Sequence, residues 1–279
     1  MSKLYRSREG ALTAVDAKTQ LTTLGSQTAP GPLLVPGAAS YLTALILSAV
    51  ASNESATQGA YLIRIEGPGI ARGVFTLAAG GDGGAVATGG TVLASSVRIP
   101  VNIKVIPGQE ILVFAEALGN DQGTYQVAVT VEFDSKVGPE GEVKGEVTVE
   151  GDMTAVDTLV RLTAQGSVTS PSRLTPPDAK MIKRLVYAVG QDSAADGEVS
   201  FILRLGGDAV KGGEQTIVMG GASFIDVQSG SDAGRNYMLP IILDNVDIDI
   251  TPQETLDISV EMVGVDVGSA TAVVTAIFA

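Results

Sequence analysis

Hydrophobic and polar residues alternate along much of the chain with the period of a β-strand. In residues 97–105 every second position is apolar. The same alternation occurs in residues 125–133, 246–250 and 256–262. Because successive side chains of a strand point to opposite faces of a sheet, these segments predict strands with one buried face and one solvated face.

One apolar segment, residues 41–51, fits a helix as well as a strand. The residues with helical spacing are Leu42, Leu45, Ile46 and Ala49. A matching segment begins at Met181, and there the polar loop 191–198 leads directly into the apolar run 199–205, as it would in a hairpin. We therefore favour a strand for both segments.

The chain also contains an internal repeat. The sequence Thr-Ala-Val-Asp at residues 13–16 recurs at residues 154–157, and residues 61–65 match residues 201–205 at a spacing of 140. Glycines repeat at the same spacing: Gly67, Gly73, Gly80 and Gly81 meet Gly207, Gly213, Gly220 and Gly221. Since turn residues and apolar residues recur together, the pattern indicates a tandem duplication.

The repeat continues towards the end of the chain. Pro100 meets Pro240 at the spacing of 140, and after a small insertion the spacing becomes 144 to 145, where Glu116 matches Glu261. Each copy contains about eight strand-like runs separated by turns with glycine or proline, which is typical of an antiparallel sandwich or jelly roll. We predict an all-β fold of two tandem antiparallel β-sandwich or jelly-roll domains that arose by internal duplication.

The limits of the repeat define four expected segments. Residues 1–12 form a basic N-terminal arm, and residues 13–133 form the first sandwich or jelly roll. Residues 134–153 are a linker that contains at most an exposed strand, and residues 154–279 form the second sandwich or jelly roll.

Composition excludes most familiar catalytic chemistry. The chain has no cysteine and no histidine, which removes thiol and imidazole nucleophiles, histidine bases, disulfides and nearly all zinc, copper or haem sites. No Gly-x-Ser-x-Gly motif occurs, and the glycine-rich run 80–84 is not followed by the Gly-Lys-Ser/Thr of a phosphate loop. We expect a protein that is not an enzyme and holds no cofactor.

A few acidic and basic residues are candidates for a specific role. Asn245, Asp247 and Asp249 place oxygen ligands on one face of a predicted strand, where a hard cation such as calcium could bind. An ordinary solvated face is the simpler interpretation, so we predict no metal site.

Two further pairs lie at equivalent places in the repeat. Arg64 and Arg204 lie within apolar strands, where each pairs with an acid such as Glu66 or contacts a neighbouring subunit. We favour structural ion pairs. Glu116 and Glu261 belong to different copies and do not indicate a catalytic carboxylate pair.

The net charge is −13, yet the N-terminus is basic. Lys3, Arg6 and Arg8 are candidates for contact with a genome or a partner protein, and a solvated terminus is the simpler alternative. The first residues lack the apolar core of a signal peptide, and the apolar stretch 41–51 is shorter than the roughly 20 residues that span a bilayer. We expect a soluble protein made in the cytoplasm.

The tandem repeat of residues 13–278, the basic residues before it and the lack of a signal peptide together resemble the double jelly-roll major capsid proteins of icosahedral viruses. This resemblance implies a structural coat subunit of a virion that forms homotrimeric, pseudo-hexameric capsomers and has no catalytic residues. Its partners would be copies of itself and other coat or membrane-associated virion proteins. Nucleic acid would be contacted only through Lys3, Arg6 and Arg8.

A second class of function stays open beside the coat subunit. A tandem β-sandwich can serve as a binding module, or as a subunit of a surface appendage or fibre, that recognises carbohydrate or protein. Carbohydrate platforms usually present exposed aromatic rings, and this chain has six Phe, six Tyr and no Trp. The coat subunit is therefore the first hypothesis and the binding module the alternative.

Overall fold

The computed structural model describes residues 3–279 apart from 52–57, 84–95, 120–124, 140, 192–197, 224–235, 239 and 265–268. The described residues form antiparallel β-sheets and contain no helix. The predicted all-β fold is therefore confirmed, and the ambiguous segment 41–51 is a strand. In the part of the chain that the structure describes, no helix is long and apolar enough to cross a membrane.

The first sandwich consists of two sheets, A and B. Its strands are β1 (Leu4–Leu12), β2 (Thr19–Gln20), β3 (Leu33–Leu34), β4 (Tyr41–Ala51), β5 (Gln58–Glu66), β6 (Val74–Gly83), β7 (Val97–Lys104), β8 (Glu110–Gly119) and β9 (Tyr125–Asp134). Sheet A has the order β1-β9-β4-β7, and sheet B has the order β2-β8-β5-β6. The short strand β3 also pairs with β8.

The second sandwich consists of sheets C and D. Its strands are β10 (Gly145–Met153), β11 (Leu159–Arg161), β12 (Met181–Gln191), β13 (Glu198–Gly206), β14 (Gln215–Ser223), β15 (Asn236–Met238), β16 (Ile241–Asp249), β17 (Asp257–Gly264) and β18 (Ala270–Phe278). Sheet C has the order β10-β18-β12-β16, and sheet D has the order β11-β17-β13-β14. Strand β15 pairs with β6 and so extends sheet B.

The two sandwiches have the same strand order. When the main strands of each are numbered along the chain, one sheet reads 1-8-3-6 and the other 2-7-4-5, which is the order of a jelly roll. Irregularities recur as well: the pairing register shifts between Leu42 and Ala44 in β4 and between Ile182 and Arg184 in β12. The shared order agrees with a tandem duplication, which remains our interpretation of the sequence repeat.

The strand register corrects one detail of the repeat. Pro100 lies opposite Ala44 in sheet A. The counterpart of Ala44 in the second sandwich is Arg184, and the residue opposite Arg184 is Asp244. Pro240 precedes β16 and is not the counterpart of Pro100. The insertion that changes the repeat spacing from 140 to 144 therefore lies between β14 and β16. It precedes β16 and does not follow it.

Two expected segments are different in the structure. Residues 4–12 are not an arm, because β1 pairs with β9 along its whole length. Residues 145–153, expected within an exposed linker, form the largely buried strand β10. Both segments are strands because each sandwich needs its first strand to close its core. Leu12 and Met153, at the ends of β1 and β10, are 0% exposed.

The sandwiches pack face to face through sheets B and C. Strands β5 and β6 lie against β10, β12 and β18. Within the described part of the chain, the buried residues from the outer face of sheet C that join the core of the first sandwich are Val186, Ala188, Val273 and Ile277. The sheets are stacked in the order A, B, C and D, so the outer faces of A and D lie at the two ends of the stack.

Candidate functional site

Lys3 belongs to a charged cluster on the outer face of sheet A. Lys3 Nζ lies 2.8 Å from Glu132 Oε1, and Arg98 Nη2 lies 2.7 Å from the same oxygen. Thr43 Oγ1 donates a hydrogen bond to Glu132 Oε1 at 2.8 Å. Burial alone would raise the pKa of Glu132, but the hydrogen bonds from Arg98, Lys3 and Thr43 outweigh it and lower the pKa to about 2.

Arg6 and Arg8 lie on the other face of the N-terminal strand. Arg8 is 8% exposed, and its Nη2 donates to the backbone oxygen of Gly31 at 2.7 Å. Burial, followed by the charge of Arg6, lowers the pKa of Arg8. Arg6 is exposed and donates to the backbone oxygen of Tyr5. Because side chains alternate along a strand, the three cations expected to act together do not share a surface.

A cavity of about 210 Å³ lies beside Arg8 in the first sandwich. Its lining is mixed, with charged and hydroxyl groups from Arg8, Glu110, Thr22 and Thr28. In the described part of the chain, the glycine-rich run 80–84 does not line this cavity. Its first four residues are the end of β6, which finishes at Gly83, and Gly84 lies outside the described residues.

The acidic strand does not present the regular face that the alternation predicts. Asn245 and Asp247 have φ angles of 57° and 50°, so the backbone is left-handed at two of the three positions. Lys183 Nζ lies 2.7 Å from Asp247 Oδ1, and Asp249 lies opposite Met181 at the end of the strand. Among the described residues, no group of three or more acidic side chains is arranged to hold a metal ion.

The contact between sheets B and C is built on hydroxyl groups. Thr148 Oγ1 and Thr275 Oγ1 are 2.8 Å apart, and both residues are buried. Thr148 donates to the backbone oxygen of Thr76 at 3.0 Å, and Thr275 accepts the backbone N–H of Ala78 at 2.8 Å. These bonds satisfy backbone groups of β6 that point away from its partner strand β5.

Glu146 on β10 adds a carboxylate to the same contact. Its Oε1 accepts the backbone N–H of Thr76 at 2.9 Å. Burial raises the pKa of Glu146 to about 7, and this hydrogen bond and the charge of Arg72 offset burial only in part. The contact between the sandwiches therefore contains a carboxyl group that titrates near neutral pH.

A turn of the second sandwich, residues 165–168, packs against Glu116 of the first. The backbone N–H of Ser167 donates to Glu116 Oε2 at 2.7 Å, and Glu116 Oε1 lies 3.3 Å from Arg64 Nη2. Gly166 has a φ angle of 55°, and a β-carbon at this position would clash with Glu116 Oε2. The turn needs glycine both for its backbone conformation and for space.

Further carboxylates gather behind this turn. The backbone N–H of Gly166 donates to Glu150 Oε1 at 2.8 Å. Burial raises the pKa of Glu150 to about 7, and the charges of Asp16, Asp152 and Glu116 act in the same direction. The contact thus holds a second carboxyl group that is easily protonated.

The arginine–glutamate pairs differ between the sandwiches in exposure. Arg64 and Glu116 lie on the face of sheet B that sheet C covers, and their side chains are 8% and 0% exposed. Arg204 Nη2 lies 2.6 Å from Glu261 Oε2 on the open face of sheet D, where the side chains are 35% and 16% exposed. One pair is therefore inside an interface, and its counterpart is at the surface.

The hydroxyl pair of the internal contact also has a counterpart at the surface. Ser7 Oγ and Thr130 Oγ1 are 2.8 Å apart on the outer face of sheet A. They occupy the positions of Thr148 and Thr275, because both pairs lie directly opposite each other in matching strands. Ser7 and Thr130 are only partly buried.

No motif in the sequence identifies these contact residues. A signal for the contact is present in residues 270–278, where apolar residues occupy both faces of the strand and every residue is buried. The matching residues 125–133 alternate apolar and polar positions. A strand that is apolar on both faces predicts a partner on each side of its sheet.

These features define an all-β chain of two stacked sandwiches. No family model matches the chain, and no curated protein matches it. Among solved structures it is similar to the PBSX exported protein XepA, with 13% identity, coverage of 98% of this chain and 86% of that chain, and a TM-score of 0.23.

Two other solved structures show a comparable likeness. The CBM22-1–CBM22-2 tandem domain of Paenibacillus barcinonensis Xyn10C has 9% identity, coverage of 98% and 93%, and a TM-score of 0.20. A chain of the T13 IBDV viral particle has 10% identity, coverage of 99% and 73%, and a TM-score of 0.17. At such TM-scores the likeness is a loose all-β resemblance.

Proposed function

We propose that this chain is a structural protein whose role is self-assembly. The observation that carries the proposal is the buried contact between sheets B and C, in which Thr148 and Thr275 bind the backbone of β6 and Glu116 binds the turn 165–168. A buried and hydrogen-bonded contact holds two domains in one orientation. Each chain therefore acts as a preformed pair of similar units, which suits a building block.

Within this class we propose a viral coat subunit. Three chains with two jelly rolls each supply six similar units to a closed ring, so the expected assembly is a homotrimeric, pseudo-hexameric capsomer of a virion. Its partners are copies of itself and other coat components. Contact with nucleic acid falls to Arg6, because Lys3 is bound to Glu132 and Arg8 is buried.

The test of this function is the mass and shape of the purified native protein. Light scattering gives the mass of each fraction, and negative-stain imaging of the same fractions gives its outline. A stable trimer with a pseudo-hexagonal outline, or closed particles, supports the coat subunit. A monomer at every concentration contradicts self-assembly.

A tandem binding module is the second candidate, and the cavity beside Arg8 favours it. Arg8, Glu110 and two threonines offer the charged and hydroxyl groups that bind a small polar ligand such as a sugar. The volume of about 210 Å³ is below the roughly 300 Å³ at which ligand pockets usually begin. A glycan-binding screen with Arg8→Leu as the control variant tests this candidate, and saturable binding lost in that variant would support it.

A further inference from the structure

The internal contact joins two different faces, and each of these faces has an open counterpart. The outer face of sheet B packs on the outer face of sheet C. In the shared strand order, sheet D corresponds to sheet B, and sheet A corresponds to sheet C. The outer faces of D and A lie at opposite ends of the stack, so one chain carries both halves of a second contact of the same kind.

The open face of sheet A keeps the hydroxyl pair that binds β6 in the internal contact. Ser7 and Thr130 have the 2.8 Å separation of Thr148 and Thr275. On sheet D, the counterpart of Ala78 is Val218, because Val218 lies opposite Ile202 as Ala78 lies opposite Leu62. Val218 is 69% exposed, so its large apolar side chain is at the surface.

The turn that covers Glu116 also has an open counterpart. Gly25 N donates to Glu9 Oε1 at 2.8 Å, as Gly166 N donates to Glu150 Oε1 at 2.8 Å. Both glycines have a φ angle of 55°. A β-carbon at Gly166 would meet Glu116, whereas a β-carbon at Gly25 would meet no atom of the described residues within 4 Å. The space that Glu116 fills at one turn is not filled at the other turn by any residue that the structure describes.

The two sandwiches differ in net charge. Residues 1–133 contain eight Lys or Arg and nine Asp or Glu, whereas residues 154–279 contain eight and sixteen. Lys3 and Arg98 lie on the outer face of sheet A, and their side chains are 46% and 43% exposed. The first sandwich is therefore nearly neutral, with two partly exposed cations beside Glu132 on its outer face, and the second sandwich is strongly acidic. This difference in charge favours contact between unlike sandwiches of two copies over contact between two acidic ones.

We propose that copies of this chain associate head to tail, with the outer face of sheet D on one copy docked on the outer face of sheet A of the next. The contact repeats the internal one: Ser7 and Thr130 bind the backbone of β14, and Glu261 accepts the backbone N–H of Ser26 in the turn 24–27. A contact between unlike faces closes into a ring or continues as a filament. The proposal rests on the self-assembly proposed above and names its surfaces.

The contact between copies is less apolar than the internal one. Glu132 on sheet A is the counterpart of Ile277 on sheet C, and Tyr5 is the counterpart of Glu146. Glu132 is held by Lys3 and Arg98, so the docked face contains an ion-pair cluster where the internal face contains an aliphatic side chain. Association between copies therefore depends on concentration and weakens at high salt.

Cysteine cross-linking tests the register of the contact, because the native chain has no cysteine. Thr130→Cys and Val218→Cys are made as separate variants and mixed under oxidising conditions. The proposed contact brings residue 130 of one copy beside residue 218 of another, so the mixture forms a disulfide-linked heterodimer and neither variant alone does. Cross-links only between like chains, or none while the protein still assembles, overturn the proposed faces and leave self-assembly standing.

A second variant tests the turn without touching the core. Gly25→Asn places a side chain in the space that Glu261 of the next copy would enter, and asparagine tolerates the left-handed backbone. The matched control is Gly108→Asn, also at a left-handed glycine whose β-carbon would have none of the described residues within 4 Å. We expect Gly25→Asn to weaken association by about tenfold or more and the control to leave it unchanged. Equal association by both variants contradicts the proposal, and a native protein that is monomeric at every concentration contradicts self-assembly itself.

Discussion

Glu116 Oε2 accepts the backbone N–H of Ser167 at 2.7 Å, so one oxygen of a fully buried carboxylate of the first sandwich is hydrogen-bonded by a turn of the second. The same carboxylate lies 3.3 Å from Arg64. A buried charge is stable only when it is paired and hydrogen-bonded, so the two sandwiches depend on each other at this point.

Replacing Glu116 should destabilise the chain far more than replacing its counterpart Glu261. Glu116→Gln leaves the buried guanidinium of Arg64 with the more distant carboxylate of Glu66, at 3.9 Å, and we expect a loss of about 2 to 4 kcal/mol in the free energy of unfolding. Glu261→Gln removes a partly exposed pair and should cost less than about 1 kcal/mol. Urea denaturation of both variants at low protein concentration measures the difference, and equal losses would show that burial does not distinguish the two pairs.

Replacing Gly166 should likewise destabilise the chain more than replacing its counterpart Gly25; both glycines have a left-handed backbone. Gly25→Ala should cost about 1 kcal/mol, which is the penalty for a β-carbon in this conformation. Gly166→Ala should cost at least about 1 to 2 kcal/mol more, because its β-carbon would clash with Glu116 Oε2. Thermal unfolding followed by circular dichroism compares the two. A Gly166→Ala variant as stable as Gly25→Ala would mean that the turn does not pack on Glu116.

Glu146 should make the stability fall as pH rises towards neutrality. Burial raises its pKa to about 7 from an unfolded value near 4.5, so its contribution is fully present below about pH 4.5 and is lost as pH rises through about 7. The change amounts to at most about 3 kcal/mol. Glu146→Gln, whose side-chain oxygen can still accept the N–H of Thr76, should be more stable than the native chain at pH 8 and equal to it at pH 4. Denaturation at a series of pH values measures this, and parallel curves would refute it.

Glu132 should make the stability fall as pH decreases, which is opposite to the effect of Glu146. Hydrogen bonds from Arg98, Lys3 and Thr43 outweigh burial and lower its pKa to about 2, so its contribution is present above the unfolded pKa near 4.5 and is lost as pH falls towards 2. Because Lys3 and Arg98 are nearly half exposed, we expect Glu132→Gln to cost only about 1 kcal/mol at neutral pH. The variant should also lose less stability than the native chain between pH 5 and pH 3. An unchanged acid profile would show that the cluster contributes nothing.

The sequence predicts the strands well because their alternation follows directly from one face being buried. It also predicts that Arg64 and Arg204 correspond, because the spacing within the repeat is constant around them. It fails at the N-terminus, where Arg6 and Arg8 in β1 have the charge expected of a solvated arm although the backbone pairs fully with β9. Backbone pairing is independent of side-chain charge, so composition gives no sign of it.

The stacking of the sandwiches was not predicted either. Its contacts depend on Thr148 and Thr275, small polar residues that look like those of any solvated strand. The sequence indicates the stacking through the comparison of residues 270–278 with residues 125–133, because the later strand is apolar on both faces and the earlier one alternates. Which sheet covers that face is a long-range property that a single sequence does not specify.

Self-assembly is tested most directly by the mass of the intact chain, measured by sedimentation equilibrium over a wide range of protein concentration at low and at high salt. Self-assembly predicts a mass that rises with concentration beyond a single chain, through a trimer or larger assembly, and that falls again at high salt. A mass of one chain under every condition would contradict self-assembly and leave the tandem binding module as the better explanation.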